Sequence, residues 1–536
     1  MSQLPVSFDS SEKIWSGPRD RGSIYKDDVS FGTIIFNTMS NWPKNVCQIS
    51  ADDGTTLTFE QTLTWAIRVA QFFKKRGLNH KDVIGIVGLN STYLRPLAVA
   101  CLMNGTPFHA VNTKMDEATT KVLFSRTKPS IIFCDGNVYQ KIRSSTSEWK
   151  PEFYLLTGKV EEVRSIEVLL EPTETERFYQ PEPLVEGGKQ TAVILCSSGT
   201  TGLPKPICVS NQALITSMPI NNELVVYTPS SLDYYSGLFA FTLSGLQGVT
   251  LVSSNKPFLP KNFVEMVKKY KINSFVLPPR HLSDLISSPE ISSEGLESVM
   301  NCGYSGSSVS QAALQRVRKI FPRAALTSSY GLTECGLIAT NYTNKNFSSA
   351  GIPLPGVKIR IVDEFGQNLT HNQVGEIYAN TGRPWNGYYG DPKETSRMQD
   401  SEGWFHTGDL GYFDSENFLY IVDRKKEVLK YQGLQFWTSE IEDVISELPQ
   451  VRHVCVVGIY NERHGDEAGA LVVANKESNL LAKDIVKHVA MRLPAIQKQL
   501  HAGVQFTNSL PMNPNGKTIR KAARDAFLAK KLQKSG

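Results

Sequence analysis

Few of the features that disclose a function at a glance are present. The eight cysteines (Cys47, Cys101, Cys134, Cys196, Cys208, Cys302, Cys335 and Cys455) include no C-x-x-C pair, and no histidine stands at ligand spacing beside one. That disfavours a zinc site and a disulfide framework and suits a reducing compartment. Apolar runs such as Val83–Leu89 and Thr191–Cys196 are short. A helix needs roughly 20 apolar residues to cross a bilayer, so no integral membrane segment is expected. The net charge is only +5 in 536 residues, which gives no reason to expect nucleic acid as a partner. There is no internal repeat and no low-complexity segment. The first fifteen residues lack the basic start and apolar core of a secretory signal. The glycosylation triplets at Asn90 and Asn341 therefore read as chance matches. The last five residues, Leu532 to Gly536, differ from the SKL peroxisomal address. A cytoplasmic location is expected, with the peroxisome kept open.

What remains is a globular composition, 40% apolar and 20% charged. Strand-like and helix-like segments alternate. Thr58 to Gln61 reads as a capping box. Leu63, Ala66, Ile67, Ala70 and Phe73 then recur at helical spacing, and Gly77 is a stop signal. Buried strands are predicted at Val83–Val87, Ile131–Cys134 and Phe153–Leu156. Helix then strand is predicted at Phe263–Tyr270 and Ser274–Leu277, and Ser310 caps a further helix. Such alternation predicts an α/β fold with layered, largely parallel sheet. The character changes at the charge run Asp423-Arg424-Lys425-Lys426-Glu427. Beyond it lies a set of elements about the size of one small α+β domain. We therefore expect a large domain over 1–423, a small domain over 427–536, and a hinge between them. The basic end, Arg520–Lys534, reads as a solvated terminal helix.

Four segments carry chemistry. The first is Ser197-Ser198-Gly199-Thr200-Thr201-Gly202-Leu203-Pro204-Lys205. It follows the apolar strand Ala192–Cys196 and precedes a helix that Ser210 is expected to cap. Two glycines let backbone N–H groups converge, four hydroxyls add donors, and Lys205 adds a mobile charge. That combination suits a polyphosphate. It is not the Walker pattern, because no GKS or GKT follows. The second segment is Ser328-Ser329-Tyr330-Gly331-Leu332-Thr333-Glu334. Its tyrosine ring suits a flat base, and its Thr-Glu pair suits a phosphate and a magnesium ion. The third is Gly403 to Asp409, followed by Asp423-Arg424, which offers a carboxylate to a ribose diol. The fourth, Asn513-Pro514-Asn515-Gly516-Lys517, is a tight turn presenting a lysine. Each segment alone has a plain structural reading, as a surface loop, strand end, hairpin or exposed turn.

In this order on one chain, the four resemble the adenylate-forming superfamily, in its acyl-CoA synthetase, 4-coumarate-CoA ligase and luciferase-like branch. The landmarks Gly375-Glu376-Ile377, Gly387-Tyr388 and Lys430-Tyr431-Gln432-Gly433 fit as well, and the resemblance spans nearly the whole chain. It implies a carboxylate activated by ATP and Mg2+ to an acyl-adenylate, then passed to coenzyme A. The implied partners are thus a small carboxylic acid and coenzyme A, with the chain a monomer or weak dimer. Lys517 matches the lysine brought to the α-phosphate. Glu334 matches the magnesium carboxylate, with Thr200 beside it. Ser328, Ser329, Tyr330, Gly331 and Thr333 match adenine and phosphate contacts, and Asp409 and Arg424 match ribose contacts. Gly306 and Ser307 fall beside the adenine. Lys426 matches a hinge about which the small domain rotates, replacing Lys517 by Lys430 and Gly433 for the thiol step.

Four positions depart from the pattern. Tyr234 stands where most relatives place a histidine at the mouth of the acyl pocket. Pro206 replaces a glycine after Lys205 and removes one N–H donor. Tyr304-Ser305-Gly306-Ser307-Ser308 replaces a small Ala-Pro-containing run, so Tyr304 is expected to narrow the cavity beside Ser305. Gln432 stands where many relatives have a lysine touching coenzyme A. The competing readings are a luciferase-like enzyme, a free-standing amino-acid-adenylating protein in which a buried Asp233 holds an ammonium, and a nucleotide-binding pseudoenzyme. The leading expectation is a ligase for a fatty or aryl acid, with a place in fatty-acid or lipid metabolism.

Overall fold

A computed structural model describes every residue except 1–5, 21–23, 27, 197–203, 216–220, 290, 307–308, 343–345, 347, 476–477, 514–515 and 536. Up to residue 424 the described chain forms three sheets. A seven-stranded sheet has Ile84–Val87 at its centre, flanked by Phe108–Ala110 and Ile131–Asp135. It is parallel except at one edge, where Pro206–Ser210 runs antiparallel to Thr191–Cys196. A nine-stranded sheet has a parallel centre that includes Ser274–Leu277, Asn301–Ser305 and Ala325–Leu332. A six-stranded antiparallel sheet includes Phe405–Phe413 and Leu419–Arg424. The expected α/β layering is present, with more antiparallel sheet at its margins than alternation alone suggests.

The local causes are the expected ones in most places. All residues of Ile84–Val87 and of Ile131–Asp135 are buried, as continuous apolar runs in a covered parallel sheet must be. The Phe59–Lys75 helix begins at Thr58, whose Oγ1 accepts the Gln61 N–H at 3.1 Å. It ends before Gly77, which has φ +73°. Phe59, Leu63, Ala66, Ala70 and Phe73 are buried along one face, against the largest core cluster. The Ser310 cap is also present, accepting from Ala313 N at 3.3 Å.

One expected element is absent. No helix capped by Ser210 follows the phosphate-type loop. Pro206–Ser210 is a fully buried edge strand, and the Ser210 hydroxyl donates to the Pro384 carbonyl at 2.9 Å while accepting from Ala213 N at 3.3 Å, in a short 3-10 turn at Gln212–Leu214. The run Pro-Ile-Cys-Val favours a strand, with proline at its first residue and at the sheet edge where its missing N–H costs least.

The charge run 423–427 is a junction. Leu419–Arg424 closes the six-stranded sheet, a 3-10 turn spans Lys425–Glu427, and Leu429–Tyr431 opens a separate five-stranded sheet. That sheet pairs Val451–Asn461 with Gly465–Ala474 and has its own apolar core. Inside this small part, Arg520 Nε lies 3.0 Å from Glu427 and its Nη1 lies 2.6 Å from Glu442. Across to the large part, Asp284 meets Arg452 Nη2 at 2.6 Å and His453 Nε2 at 3.1 Å. Burial alone would raise the Asp284 carboxyl; hydrogen bonds and charge from His453 and Arg452 instead hold it below the ordinary carboxylate range.

Asp284 thus pins the small part in the orientation described. In Asp284→Asn, Arg452 loses its anionic partner and faces a neutral amide, and docking should loosen by about 1–2 kcal/mol, less than for a fully buried pair. Trypsin should then cut after Lys425 and Lys426 several-fold faster, with the overall unfolding transition nearly unmoved. An unchanged cleavage rate would show that this contact does not hold the two parts together.

Candidate active site

Two parallel strands bring the second segment into position. Asn301–Ser305 pairs with Ala325–Leu332 so that Ser305 lies opposite Ser329. Crevices at the carboxyl ends of such strands are where open α/β sheets bind ligands. Tyr330 projects from this edge, and its hydroxyl donates to Asp409 Oδ2 at 2.9 Å. Asp409 is buried on Phe405–Phe413, directly across from Arg424 in register. Arg424 Nε reaches Asp409 Oδ1 at 2.9 Å, so each carboxylate oxygen has a partner. Burial still leaves the Asp409 carboxyl raised, against the pull of Arg424 and Tyr330.

Gly331 is needed for its size. It sits at a bulge against Gly336–Asn341, and a Cβ there would stand 2.3 Å from the Gly336 carbonyl oxygen. The chain then turns through Thr333 and Glu334. Glu334 accepts from the Tyr388 hydroxyl at 2.8 Å. Burial raises the Glu334 carboxyl, opposed by that hydrogen bond and by the charges of Arg424 and Lys205. Lys205 Nζ lies 2.5 Å from Glu394 Oε2 and 5.2 Å from the centre of the Tyr388 ring. Tyr388 and Glu394 were not singled out as site residues from sequence. Tyr388 was visible only as part of a Gly-Tyr landmark, and nothing local marks Glu394.

Lys517 enters from the small part. Its backbone N–H donates to Asn513 Oδ1 at 2.9 Å, and Gly516 before it has φ +80°. Burial, with Arg424 nearby, lowers the Lys517 ammonium to about 8, while Asp409 and Glu427 oppose the fall. Lys517 and Arg424 both line a cavity of about 650 Å³, with Tyr234, Ser305, Gly306 and Lys426. The third and fourth segments, far apart in sequence, therefore meet at one place.

Other expected site residues fall elsewhere. Lys430, Gln432 and Gly433 lie at the exposed Leu429–Tyr431/Leu434–Phe436 hairpin, and none lines the cavity. Gln432 and Gly433 both have positive φ (+50° and +81°), as the tight hairpin turn requires. Tyr304 does not narrow the cavity: it is 5% exposed and packed in the core with Phe275 and Leu277, while Ser305 and Gly306 form the wall. Strand alternation turns its ring inward. Asp233 is buried but already serves Asn112, which donates at 2.9 Å, and the Ser231 hydroxyl. Its foothold for an ammonium is gone. Ser197, Ser198, Gly199, Thr200, Thr201, Gly202 and Ser307 lie outside the described residues.

The donor set fits a hard divalent cation in one respect. Among the described residues no group of three or more ligating side chains exists. Mg2+ is commonly held by one or two carboxylates plus substrate phosphates rather than by a protein cage. Glu334, within reach of the charge of Lys205, can supply such a carboxylate.

Comparison with known proteins identifies the family. The family model for AMP-binding enzymes matches residues 35–389, and that for the AMP-binding enzyme C-terminal domain matches residues 440–517. 4-Coumarate–CoA ligase 1 of Petroselinum crispum is 26% identical over 523 residues, covering 94% of this chain and 95% of the relative. The 4-coumarate–CoA ligase of Pinus taeda is 30% identical over 524 residues, covering 94% and 96%. The crystal structure of the anthranilate CoA ligase AuaEII with anthranoyl-AMP superimposes with a TM-score of 0.84 at 17% identity, covering 94% of this chain and 98% of that one. With a family model matching most of its length, the chain belongs to the AMP-binding enzymes, the adenylate-forming superfamily.

Proposed function

We propose that this enzyme is an ATP-dependent acid–CoA ligase for an aryl or short-to-medium-chain carboxylic acid. The observation that carries the reading is the meeting of Lys517 with the Asp409–Arg424 pair at the main cavity. In the first step a carboxylate oxygen attacks the α-phosphorus of ATP, the bond to the β-phosphate oxygen breaks, and pyrophosphate leaves. The carboxylate is already ionised and needs no general base. Its obstacle is repulsion by the triphosphate. Lys517 supplies a cation at the transferring oxygens, in a setting where such charge contributes several kcal/mol. Bound Mg2+ would neutralise phosphate charge, with Glu334 and Thr200 as its protein oxygens. Asp409, held by Arg424 and Tyr330, faces the ribose diol. In the second step the coenzyme A thiol, as thiolate, attacks the acyl carbon and AMP leaves.

Lys426, in the turn Lys425–Glu427, is the proposed hinge. Here Lys517 lines the cavity while Lys430, Gln432 and Gly433 sit on an exposed hairpin. Rotation about the turn exchanges them, and hinge residues absorb such change away from the chemistry. The named substrates of the relatives favour an aryl acid, and the Tyr234 ring at the cavity wall favours short acids over long ones. A fatty acid of short or medium length remains within the same proposal. The overall test is pyrophosphate release across a panel of acids, with and without coenzyme A.

Lys517→Ala should cut pyrophosphate release by roughly 100-fold or more. Lys430→Ala should leave it near wild type and slow thioester formation from pre-made adenylate, because a group acting in one transition state lowers that step. Equal losses in both steps for both variants would reject the rotating arrangement.

The lowered Lys517 ammonium gives a pH dependence. Lys517 is cationic below about 8 and loses its proton as pH rises through that value. The kcat/KM for pyrophosphate release, which reports the free enzyme, should therefore decline above about pH 8. Lys517→Arg, cationic throughout, should be slower but lack that decline. The same descending limb in the arginine variant would assign it to another group.

Tyr234→Ala should extend the accepted acid, since each added methylene is worth about 0.8 kcal/mol when buried. Tyr234→His should alter turnover more than length preference. The check is kcat/KM over a ladder of straight-chain acids. A wild-type optimum at long chains, or a ladder unmoved by Tyr234→Ala, removes Tyr234 as the depth gauge.

A further inference from the structure

A second cavity, of about 60 Å³, lies among Gln48, Ser91, Arg95, Phe241 and Ser253. Among the described residues it shares only Ser230 with the main cavity. Arg95 is 5% exposed, on the Leu94–Met103 helix. A buried guanidinium normally sits against a carboxylate, because an uncompensated charge away from water is costly. Arg95 does not. Its Nη1 donates to Ser244 Oγ at 3.1 Å and its guanidinium lies 5.4 Å from the Phe241 ring centre. Among the described residues the one titratable neighbour acting on it is the Cys47 thiol. Among the described residues no aspartate or glutamate lines the cavity.

Three buried polar atoms there have no hydrogen-bond partner among the described residues: Arg95 Nε, Ser91 Oγ and Ser253 Oγ. All three can donate. The Leu94–Met103 helix also begins beside the cavity with no side-chain cap, which adds partial positive charge from its first N–H groups. Water would satisfy the donors but leave the guanidinium charge unbalanced.

We propose that this cavity holds a small monovalent anion of halide size, received by Arg95 together with the hydroxyls of Ser91 and Ser253. The volume suits a halide with a water beside it, since one water occupies about 30 Å³ of liquid. The ion would tie the Leu94–Met103 helix to the Tyr235–Gln247 helix through the shared Arg95–Ser244 bond. That second helix begins at Tyr234, on the main cavity wall. The inference does not depend on the proposed reaction.

The test uses the full chain and bromide. Crystals grown or soaked in sodium bromide should show an anomalous peak in this cavity, within contact of Arg95 Nε. The melting temperature should be higher in sodium chloride or bromide than in sodium gluconate at equal ionic strength, by on the order of 2 °C. Arg95→Met should abolish both signals. If that variant does not fold, Ser91→Ala with Ser253→Ala should weaken both. Water alone in the cavity, bromide only at surface positions as an adventitious ion only, or equal melting in halide and gluconate overturns the proposal.

Discussion

The site depends on one pairing register. Asp409 and Arg424 face each other because Phe405–Phe413 and Leu419–Arg424 are neighbours in an antiparallel sheet, with a bulge between Leu410 and Gly411. Without Arg424, the buried Asp409 would keep only the Tyr330 hydroxyl and the charge of Lys517 against it, and breaking a buried pair costs about 3–5 kcal/mol. Arg424 is also the last residue of the large part's sheet before the turn at Lys425. Its charge is felt by Lys517, Glu334 and Tyr234 as well. The carboxylate proposed for the ribose, the entry to the small part and the lysine that part delivers therefore share one electrostatic neighbourhood. The order of events in the proposed reaction needs that coupling, since a lysine delivered by a movable domain must find the nucleotide by charge.

A second chain of contacts, Glu334–Tyr388–Lys205–Glu394, includes the lysine that ends the phosphate-type segment. Here the antiparallel Thr191–Cys196/Pro206–Ser210 hairpin changes the physics expected of the loop. A loop leading into a helix adds the helix N-terminus to its phosphate contacts. A loop joining two antiparallel strands has only its own N–H groups, hydroxyls and lysine.

Most of the fold was legible because period decides it. Parallel strands appear as short apolar runs and amphipathic helices as 3.6-residue stripes, and both survive in a single sequence. The helix expected after Ser210 does not form because Ser210 ends a strand, and the short apolar segment Pro206–Val209 carries no period long enough to reveal that strand. The site was legible in composition but not in side-chain direction. Tyr304 and Asp233 are what their neighbours make of them: strand alternation sends one ring into the core, and Asn112, more than a hundred residues away in sequence, occupies the other's carboxylate. No local pattern encodes either. Nor does one encode Asp284 as a fastening, because its partners Arg452 and His453 belong to the other part of the chain.

The contacts across the junction sort by what a reorientation must break. Arg520 with Glu427 and Glu442 lies within the small part and moves as a unit. Asp423 accepts from Thr438 N at 3.1 Å and Thr438 Oγ1 at 2.9 Å, so it caps the first helix of the small part from the last strand of the large one. It sits next to the turning point, where displacement is least. The contacts farther out are Asp284 with Arg452 and His453, and Arg316 Nη2 with the Ser446 carbonyl at 3.1 Å. Those are polar groups that water can receive when they separate, unlike an apolar seam whose opening would expose hydrocarbon. The junction therefore holds its orientation by a few directional bonds that water can replace, which is the energetic condition that the proposed rotation of the small domain between two steps requires.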